Sequence, residues 1–261
     1  MPYTLVTGAS KGIGQALATE CAKHKQPLLL VALPNDGLPT IACELKQEYN
    51  VDVIYYQLNM ESPHSIAEFA SWLQKSDIEV NTLINNAGLG MQGHFTELSL
   101  EENLKMMNVN MQGVVTLTYH LIPELKRHPH SYIMNVGSLA SFLKFPYKAV
   151  YSGSKNFILA FSGALKYELK HTSISVSCLC PGPTITNELV AARTAEQGAK
   201  AKAFTLPASS VARIGIRNML RGKHIIVPGG FNRALIFFIK HLPSWLSTQM
   251  AERMFANSQH K

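Results

Sequence analysis

Tyr151 and Lys155 are the two residues whose types and spacing could perform acid–base chemistry. They lie four positions apart in the predicted helix Tyr151–Leu169, so both side chains project from the same helix face. A phenol with an ordinary pKa near about 10 is a poor proton carrier at neutral pH. An adjacent ammonium favours the phenolate and lowers that pKa. Because the chain has nine tyrosines, one Tyr-x-x-x-Lys match carries little information alone and needs supporting context.

Ser138 supplies part of that context. It follows the predicted strand Tyr132–Val136, and ligands of open parallel sheets bind outside the carboxyl ends of the strands. We therefore expect its hydroxyl to share a substrate oxygen with the hydroxyl of Tyr151. Taken alone, a serine at this position is an ordinary turn or capping residue.

The elements that must position these side chains follow from the hydrophobic pattern, in which short apolar runs alternate with segments of helical period. The predicted strands are Tyr3–Thr7, Pro27–Leu33, Val53–Leu58, Thr82–Asn85, Tyr132–Val136, Ile174–Leu179 and Lys223–Val227. The predicted helices are Gly12–His24, Ser65–Gln74, Leu100–Leu125 and Tyr151–Leu169. This alternation predicts an α/β fold: a Rossmann-type, doubly wound, mostly parallel sheet with helices on both faces, in one domain of residues 1–230.

A glycine-rich turn, Thr-Gly-Ala-Ser-Lys-Gly-Ile-Gly at residues 7–14, joins the first strand to the first helix. Glycines let the backbone approach a pyrophosphate closely, and the helix N-terminus offers unpaired N–H groups to it. The second strand ends without an acidic side chain until Asp36, and Lys11 could meet a 2′-phosphate. These features favour NADP(H) over NAD(H), although Lys11 could also be an ordinary solvated loop lysine.

Taken together, several blocks resemble the short-chain dehydrogenase/reductase family in its single-domain form. They are the turn at residues 7–14, Asn85-Asn86-Ala87-Gly88, Ser138, Tyr151-x-x-x-Lys155 and Pro181-Gly182-Pro183-Thr184-Ile185-Thr186. The blocks occur in the order and at the spacing of the family across residues 1–230.

The resemblance implies roles for individual residues. Tyr151 would be the general acid/base, Ser138 would orient the carbonyl, and Lys155 would bind the nicotinamide ribose and lower the pKa of Tyr151. Asn110 matches the family asparagine that anchors a water in a proton relay. The implied cofactor-binding residues are Gly8, Ser10, Lys11, Gly12, Ile13, Gly14, Asn59, Asn86, Ala87, Gly88, Tyr151, Lys155, Pro181, Gly182, Thr184 and Thr186.

The sequence departs from the family pattern at two positions on the cofactor side. Asn59 stands where an aspartate usually contacts adenine, although an asparagine can still donate and accept hydrogen bonds there. Leu33 replaces an arginine that is common in NADP-dependent members. Lys11 is then the main candidate to bind a 2′-phosphate.

Apolar side chains at the edges of the motifs are the candidate substrate contacts, although several could equally belong to the core. They are Leu89, Met91, Leu139, Phe142, Phe145 and Leu189. This set favours a small hydrophobic substrate: a ketone, an acyl chain or a sterol-like molecule. The predicted function is an NADP(H)-dependent carbonyl reductase or alcohol dehydrogenase. The alternative is a non-catalytic NADP(H)-binding sensor or interaction protein on the same fold.

The positive charge is concentrated at the C-terminus. The net charge is +7, yet residues 206–261 hold eight lysine and arginine residues and one acidic residue, Glu252. The neutral main body argues against nucleic-acid binding. Residues 231–261 form a predicted basic amphipathic extension that could lie in a membrane interface, on its own domain or on another subunit of a homo-oligomer.

Other composition signals are weaker. We find neither a signal peptide nor an apolar run long enough to span a bilayer. The four cysteines lack a C-x-x-C spacing, and His128 and His130 have no accompanying ligands. We therefore expect no metal site and a cytoplasmic protein, with contact at the membrane periphery left open.

Overall fold

A parallel sheet organises the chain in a computed structural model that describes residues 1–196 and 203–241. Seven strands pair in the order β3-β2-β1-β4-β5-β6-β9, all in parallel. They are β1 (Tyr3–Thr7), β2 (Leu28–Ala32), β3 (Val53–Gln57), β4 (Val80–Asn85), β5 (Ser131–Val136), β6 (Ile174–Leu179) and β9 (Ile225–Ile226). Two short strands, β7 (Thr184–Ile185) and β8 (Leu206–Pro207), form a separate pair.

The helices are, in chain order, α1 (Gly12–Lys23), α2 (Leu38–Tyr49), α3 (Pro63–Lys75), α4 (Leu100–Met107), α5 (Val114–Leu125), α6 (Ala149–Glu168), α7 (Glu188–Glu196), α8 (Ala208–Met219) and α9 (Gly230–His241). Apolar side chains of α1, α2 and α8 cover one face of the sheet, and those of α3, α5 and α6 cover the other. With both faces covered, β2 reads Leu-Leu-Leu-Val-Ala and is buried throughout. The predicted doubly wound fold is confirmed.

The predicted helix Leu100–Leu125 is interrupted in the structure. A π-helical turn, Asn108–Gly113, separates α4 from α5. A Cβ atom at Gly113 would lie 2.4 Å from the main-chain oxygen of Met60, so the backbone passes very close to the segment after β3. Such π-turns concentrate at functional sites, and this one carries Asn110.

The sequence does not predict three helices, α2, α7 and α8, and β9 is shorter than its prediction. Helix α2 buries only Leu38, Ala42 and Leu45, so its apolar stripe is weak. Helix α8 begins after Pro207 and packs its buried face mainly against α1. The predicted strand Lys223–Val227 pairs only at Ile225–Ile226.

The first part of the predicted C-terminal extension forms α9 and packs on its own domain. Ile236 and Ile239 are buried against Leu139 and Leu143. The buried side chain of Asn232 donates hydrogen bonds to the main-chain oxygens of Phe204 and Pro228. Residues 242–261 of the extension lie outside the described residues. Within the described ranges, no helix combines the length and apolarity needed to cross a membrane.

Candidate active site

A cavity of about 610 Å³ opens at the carboxyl ends of the central strands. The turn after β1, the loops that follow β4 and β5, and the segment after β6 all contribute to its walls. Strand order reverses between β1 and β4, since β2 and β3 lie on one side of β1 and the later strands on the other. This reversal is where open α/β sheets bind their ligands.

Ser138, Tyr151 and Lys155 meet in the wall of this cavity. Ser138 follows β5 and caps a short 3-10 turn, Leu139–Phe142, by accepting a hydrogen bond from the N–H of Ala140. Tyr151 and Lys155 lie one turn apart on α6, and the Lys155 Nζ atom is 5.9 Å from the centre of the Tyr151 ring. The structure therefore brings together the three side chains that the sequence predicts for the chemistry.

Burial shifts the pKa values of both Tyr151 and Lys155. It raises the pKa of Tyr151 above its ordinary value, and a hydrogen bond with Ser138 offsets part of that rise. Burial also lowers the pKa of Lys155 to about 8. The sequence predicts that Lys155 lowers the pKa of Tyr151, but burial has the larger effect here and raises that pKa, so the phenol stays protonated at neutral pH.

Two main-chain contacts fix Lys155. Its ammonium donates a hydrogen bond to the main-chain oxygen of Val136, at 2.9 Å. The hydroxyl of Ser141 donates to the main-chain oxygen of Lys155, at 2.7 Å, and accepts from the N–H of Ser138, at 3.2 Å. Ser141 thus ties α6 to the loop after β5, and sequence reasoning missed it because a serine in a short turn gives no signal.

Asn110 is held on the π-helical turn by its side-chain amide. The amide accepts a hydrogen bond from the N–H of Leu89 and donates one to its main-chain oxygen, both at 2.8 Å. It also donates to the hydroxyl of Ser154, at 3.0 Å. These hydrogen bonds hold the loop after β4 in place, and Gly88 of that loop lies next to Lys155. The water-anchoring role stays a prediction.

The nucleotide side of the cavity is built on contacts between two strand ends. The hydroxyl of Thr7, at the end of β1, accepts hydrogen bonds from the N–H groups of Asn86 and Ala87, each at 3.0 Å. A Cβ atom at Gly14 would lie only 2.0 Å from the main-chain oxygen of Gly8. A Cβ atom at Gly88 would come within 3.3 Å of the Lys155 ammonium. The close packing of α1 on the turn after β1, and of the loop after β4 on Lys155, therefore depends on the absence of these side chains.

Most of the predicted cofactor positions share this cavity. Its wall includes Gly8, Ser10, Lys11, Ile13, Gly14, Asn59, Asn86, Ala87, Gly88, Tyr151, Lys155, Pro181, Gly182, Thr184 and Thr186. Gly12 lies outside this wall, where a Cβ atom would approach the Thr186 side chain at 3.3 Å. The Oδ1 atom of Asn59 accepts a hydrogen bond from the N–H of Glu61.

The cavity wall also includes three charged residues that sequence reasoning did not assign to the site: Asp36, Glu61 and Lys105. Lys11 pairs with Asp36, with the Nζ and Oδ1 atoms 2.8 Å apart. Lys105 and Glu61 face each other at 4.0 Å. In the sequence, Asp36 is only the first acidic residue after β2, and no local pattern indicates that it folds back onto the glycine-rich turn.

The predicted substrate residues divide between three places. Leu89 lines the main cavity, and Met91 lines a small recess that also borders Tyr151. Leu139, Phe142 and Phe145 belong to the apolar cluster that receives α9. The side chain of Leu189 lies outside the described residues.

Comparisons with known proteins agree with this geometry. A family model described as short chain dehydrogenase matches residues 2–197. The very-long-chain 3-oxoacyl-CoA reductase of Laccaria bicolor is 30% identical over 179 residues, which is 68% of this chain and 53% of that protein. The match therefore spans about half the length of that relative. The NADP-dependent 3-hydroxy acid dehydrogenase of Schizosaccharomyces pombe is 32% identical over 180 residues, covering 68% of this chain and 70% of that one.

Solved structures support the same assignment. A short-chain dehydrogenase from Sphingobium yanoikuyae in complex with NADPH superposes with a TM-score of 0.76 at 25% identity, covering 87% of each chain. An alcohol dehydrogenase from Thermococcus sibiricus complexed with 5-hydroxy-NADP superposes with a TM-score of 0.74 at 28% identity, covering 87% of this chain and 95% of that one. With its matching sequence, parallel fold and Ser138–Tyr151–Lys155 site, this chain belongs to the short-chain dehydrogenase family of oxidoreductases, which use nicotinamide cofactors.

Proposed function

We propose that this protein is an NADP(H)-dependent reductase or dehydrogenase that acts on the carbonyl or secondary alcohol of a hydrophobic substrate. The observation that carries the proposal is the meeting of Ser138, Tyr151 and Lys155 in one wall of a cavity large enough for a dinucleotide. A sensor that binds the nucleotide without turnover has no need of this group.

Ser138, Tyr151 and Lys155 would each have a separate role in the reduction of a carbonyl. A bound NADPH would supply the hydride. The hydroxyl of Ser138 would hold the carbonyl oxygen, and the Tyr151 hydroxyl would donate the proton that this oxygen requires as it gains charge. The raised pKa of Tyr151 keeps that proton in place before reaction. The Lys155 ammonium, next to the Tyr151 ring, would stabilise the phenolate left behind.

The walls of the cavity fit a dinucleotide. The unpaired N–H groups at the start of α1 suit a pyrophosphate, and the lack of a side chain at Gly14 lets α1 pack directly on the turn at Gly8. The ammonium of Lys11, at the rim of the cavity, suits the 2′-phosphate of NADP(H). The names of two similar proteins, one NADP-dependent and one crystallised with NADPH, support the same preference.

A hydrophobic substrate suits the apolar surroundings of Tyr151. Leu89 and Met91 approach the tyrosine from the loop after β4. Two kinds of relative named above act on 3-oxoacyl-CoA or 3-hydroxy acids, so we favour a 3-oxoacyl chain or another hydrophobic ketone.

The test is NADPH and NADH oxidation against a panel of hydrophobic ketones and 3-oxoacyl thioesters. Replacing Tyr151 by Phe removes the proton donor, and we expect kcat to fall by about 10²–10⁴-fold while NADPH binding, followed by fluorescence, persists. The control is Tyr167→Phe, on the exposed face of the same helix. Undiminished turnover by Tyr151→Phe would remove the mechanism. A wild-type protein that binds NADPH but reduces nothing in the panel would favour the sensor.

We further propose that α9 contacts a membrane at its periphery. The side chains of Phe231, Phe237 and Phe238 on α9 are between 62% and 66% exposed. Ile236 and Ile239 of the same helix are buried in the domain. Aromatic side chains with nearby basic residues are typical of helices that lie in an anionic lipid interface, and the C-terminal region carries the positive charge of the chain.

Because α9 also covers part of the apolar core, deleting it would disturb the domain. A sharper test replaces Phe237 and Phe238 by Ser and measures sedimentation with phosphatidylserine vesicles. We expect the double variant to remain in the supernatant while Tyr167→Ser, which changes an exposed aromatic residue on α6, sediments like the wild type. Equal sedimentation of all three proteins would reject the membrane contact.

A further inference from the structure

The side-chain amide of Asn232 joins three segments of the chain that meet beside the cavity. Asn232 lies in the first turn of α9 and is 1% exposed. Its Nδ2 atom donates hydrogen bonds to the main-chain oxygens of Phe204, at 3.1 Å, and of Pro228, at 3.0 Å. Phe204 comes shortly before β8, and Pro228 follows β9. The third segment is the loop after β6, which contacts the amide at Gly182.

The backbone of Gly182 packs directly on the amide of Asn232. A Cβ atom at Gly182 would lie 2.7 Å from the Nδ2 atom, 3.0 Å from the Cγ atom and 3.1 Å from the Oδ1 atom. There is no room for a side chain at these distances. Gly182 also lines the main cavity. The amide of Asn232 therefore supports the cavity wall from behind.

The wall at Gly182 lies beside the residues proposed to bind the carbonyl. The N–H of Leu139 donates a hydrogen bond to the main-chain oxygen of Pro181, at 2.9 Å, so the loop after β6 is bound next to Ser138. A hydride donor must approach the carbon atom whose oxygen Ser138 holds. The nicotinamide half of NADP(H) is therefore expected beside this loop, and the adenosine half further away, towards the glycine-rich turn.

The hydrogen bonds of Asn232 explain why an amide occupies this position. An asparagine offers two N–H hydrogens without carrying a charge, and both main-chain oxygens receive one. The Oδ1 atom is buried and accepts no hydrogen bond from any described residue. A buried acceptor without a partner reduces stability. The two donors and the contact with Gly182 are thus retained at some cost in stability.

We propose that Asn232 is a positioning residue that holds the loop after β6 against the nicotinamide half of the bound cofactor. The proposal rests on the proposed function. Through this amide, α9, which follows the predicted domain of residues 1–230, takes part in forming the cofactor site. Without the amide, the loop at Gly182 loses the side chain behind it. The nicotinamide can then leave the geometry that hydride transfer requires, while the adenosine half keeps its contacts.

The experiment compares the whole cofactor with a fragment that lacks the nicotinamide. Affinities for NADPH and for adenosine 2′,5′-bisphosphate are measured by calorimetry on the full chain, as wild type and as Asn232→Ala. We expect the variant to bind NADPH about tenfold more weakly and the bisphosphate as tightly as the wild type. With the ketone that the wild type reduces fastest, kcat should fall by about tenfold or more, since hydride transfer is sensitive to small displacements.

A second substitution changes the same contact from the other side. Gly182→Ala places a Cβ atom 2.7 Å from the Nδ2 atom of Asn232 and removes no hydrogen-bond donor. We expect the same selective loss of NADPH affinity. In the Asn232→Ala background the opposing atoms are gone, so Gly182→Ala should weaken NADPH binding by a smaller factor than in the wild type. Asn232→Ser, which keeps one donor, replaces Asn232→Ala if thermal unfolding shows that the alanine variant is not folded.

Asn103→Ala is the matched control. Asn103 is 6% exposed, and its Nδ2 atom also donates to two main-chain oxygens, those of Leu98 and Ser99. Its Oδ1 atom is likewise buried and has no hydrogen-bond partner among the described residues. The residue lies outside the wall of the main cavity. We expect Asn103→Ala to lower the temperature of thermal unfolding, as Asn232→Ala does, and to leave the ratio of the two affinities unchanged.

The outcomes separate the proposal from the proposed function. An unchanged ratio of the NADPH and bisphosphate affinities in the Asn232 and Gly182 variants overturns the proposal, and so does an equal shift of this ratio in Asn103→Ala. Equal effects of Gly182→Ala in the wild type and in Asn232→Ala also count against it. A wild-type protein that binds NADPH but reduces no ketone rejects the proposed catalysis alone, because the binding measurements need no turnover. A wild-type protein that binds neither ligand overturns both.

Discussion

The ammonium of Lys155 donates a hydrogen bond to the main-chain oxygen of Val136, 2.9 Å away at the carboxyl end of β5. This contact holds a buried cation at the edge of the sheet, beside the Tyr151 ring. It compensates only part of the cost of burial, since the pKa of Lys155 falls to about 8 from its ordinary value of 10.5. The buried position that suits the chemistry of Lys155 therefore reduces the stability of the folded protein.

That cost predicts a pH dependence. Between pH 8 and 10.5 the unfolded chain holds more protons at Lys155 than the folded chain, so this group makes stability rise with pH. In Lys155→Met the contribution is absent. We expect the difference in free energy of unfolding, wild type minus variant, to increase by up to about 3 kcal/mol across this window in urea titrations. Ionisation of Cys21, whose pKa burial raises to about 12, affects both proteins alike and cancels. The thiols of Cys178 and Cys180 interact electrostatically with Lys155, so both proteins are compared in a Cys178→Ser, Cys180→Ser background. A flat difference across the window would contradict the prediction.

Ser141 allows a test of whether the hydrogen bonds that position Ser138 and Lys155 affect catalysis. Ser141→Ala leaves the N–H of Ser138 and the main-chain oxygen of Lys155 without this partner. We expect a loss of about 1–3 kcal/mol in stability and a lower kcat with little change in the KM for NADPH. Ser76→Ala breaks a similar bond to the main-chain oxygen of Leu73, far from the site, and should affect stability alone. Normal kcat in Ser141→Ala would show that the link is only structural.

A pair of glycine substitutions tests whether the glycine-rich turn at residues 7–14 forms the nucleotide-binding site. Gly14→Ala forces a Cβ atom to within 2.0 Å of the main-chain oxygen of Gly8, and the turn must move. We expect a loss of about 1–3 kcal/mol in stability and weaker NADPH binding in fluorescence titrations. Gly153→Ala, on the exposed face of α6 with nothing within 4 Å, should instead gain about 0.5–1 kcal/mol. Equal effects of the two substitutions on stability and NADPH binding would contradict this role of the glycine-rich turn.

The cysteines predict a simple labelling pattern. Cys43 is exposed, whereas Cys21, Cys178 and Cys180 are fully buried and none of the four is in a disulfide. One thiol per chain should react at once with an aromatic disulfide reagent in the native protein, and all four should react in urea. Cys43→Ser should abolish the fast reaction. Rapid labelling of more than one native thiol would contradict this pattern and show that the segment around at least one buried cysteine opens readily.

The sequence predicts the positions of most strands and the three candidate catalytic side chains well, and the structure shows why. Strand β2 is covered on both faces and so appears as a continuous apolar run. Ser138, Tyr151 and Lys155 stand close together because parallel strand ends and one helix face impose it.

What the sequence could not predict depends on contacts between distant segments. The π-helical turn at Asn108–Gly113 coincides with the approach of Gly113 to the backbone of Met60, and no local periodicity records that contact. The Lys11–Asp36 pair depends on the left-handed turn at Asn35. In both cases the decisive information lies in tertiary geometry.

The hydrogen bonds from Asn86 and Ala87 to Thr7 join residues that are 79 and 80 positions apart. Strand β1 lies inside the sheet, and one of its two neighbours, β4, is reached only after three helical crossovers, through α1, α2 and α3. Closing so long a loop costs entropy before any contact is gained, which places this junction among the slow steps of folding. A nucleotide that binds across the junction is therefore expected to prolong the life of the folded protein, mainly by slowing its unfolding.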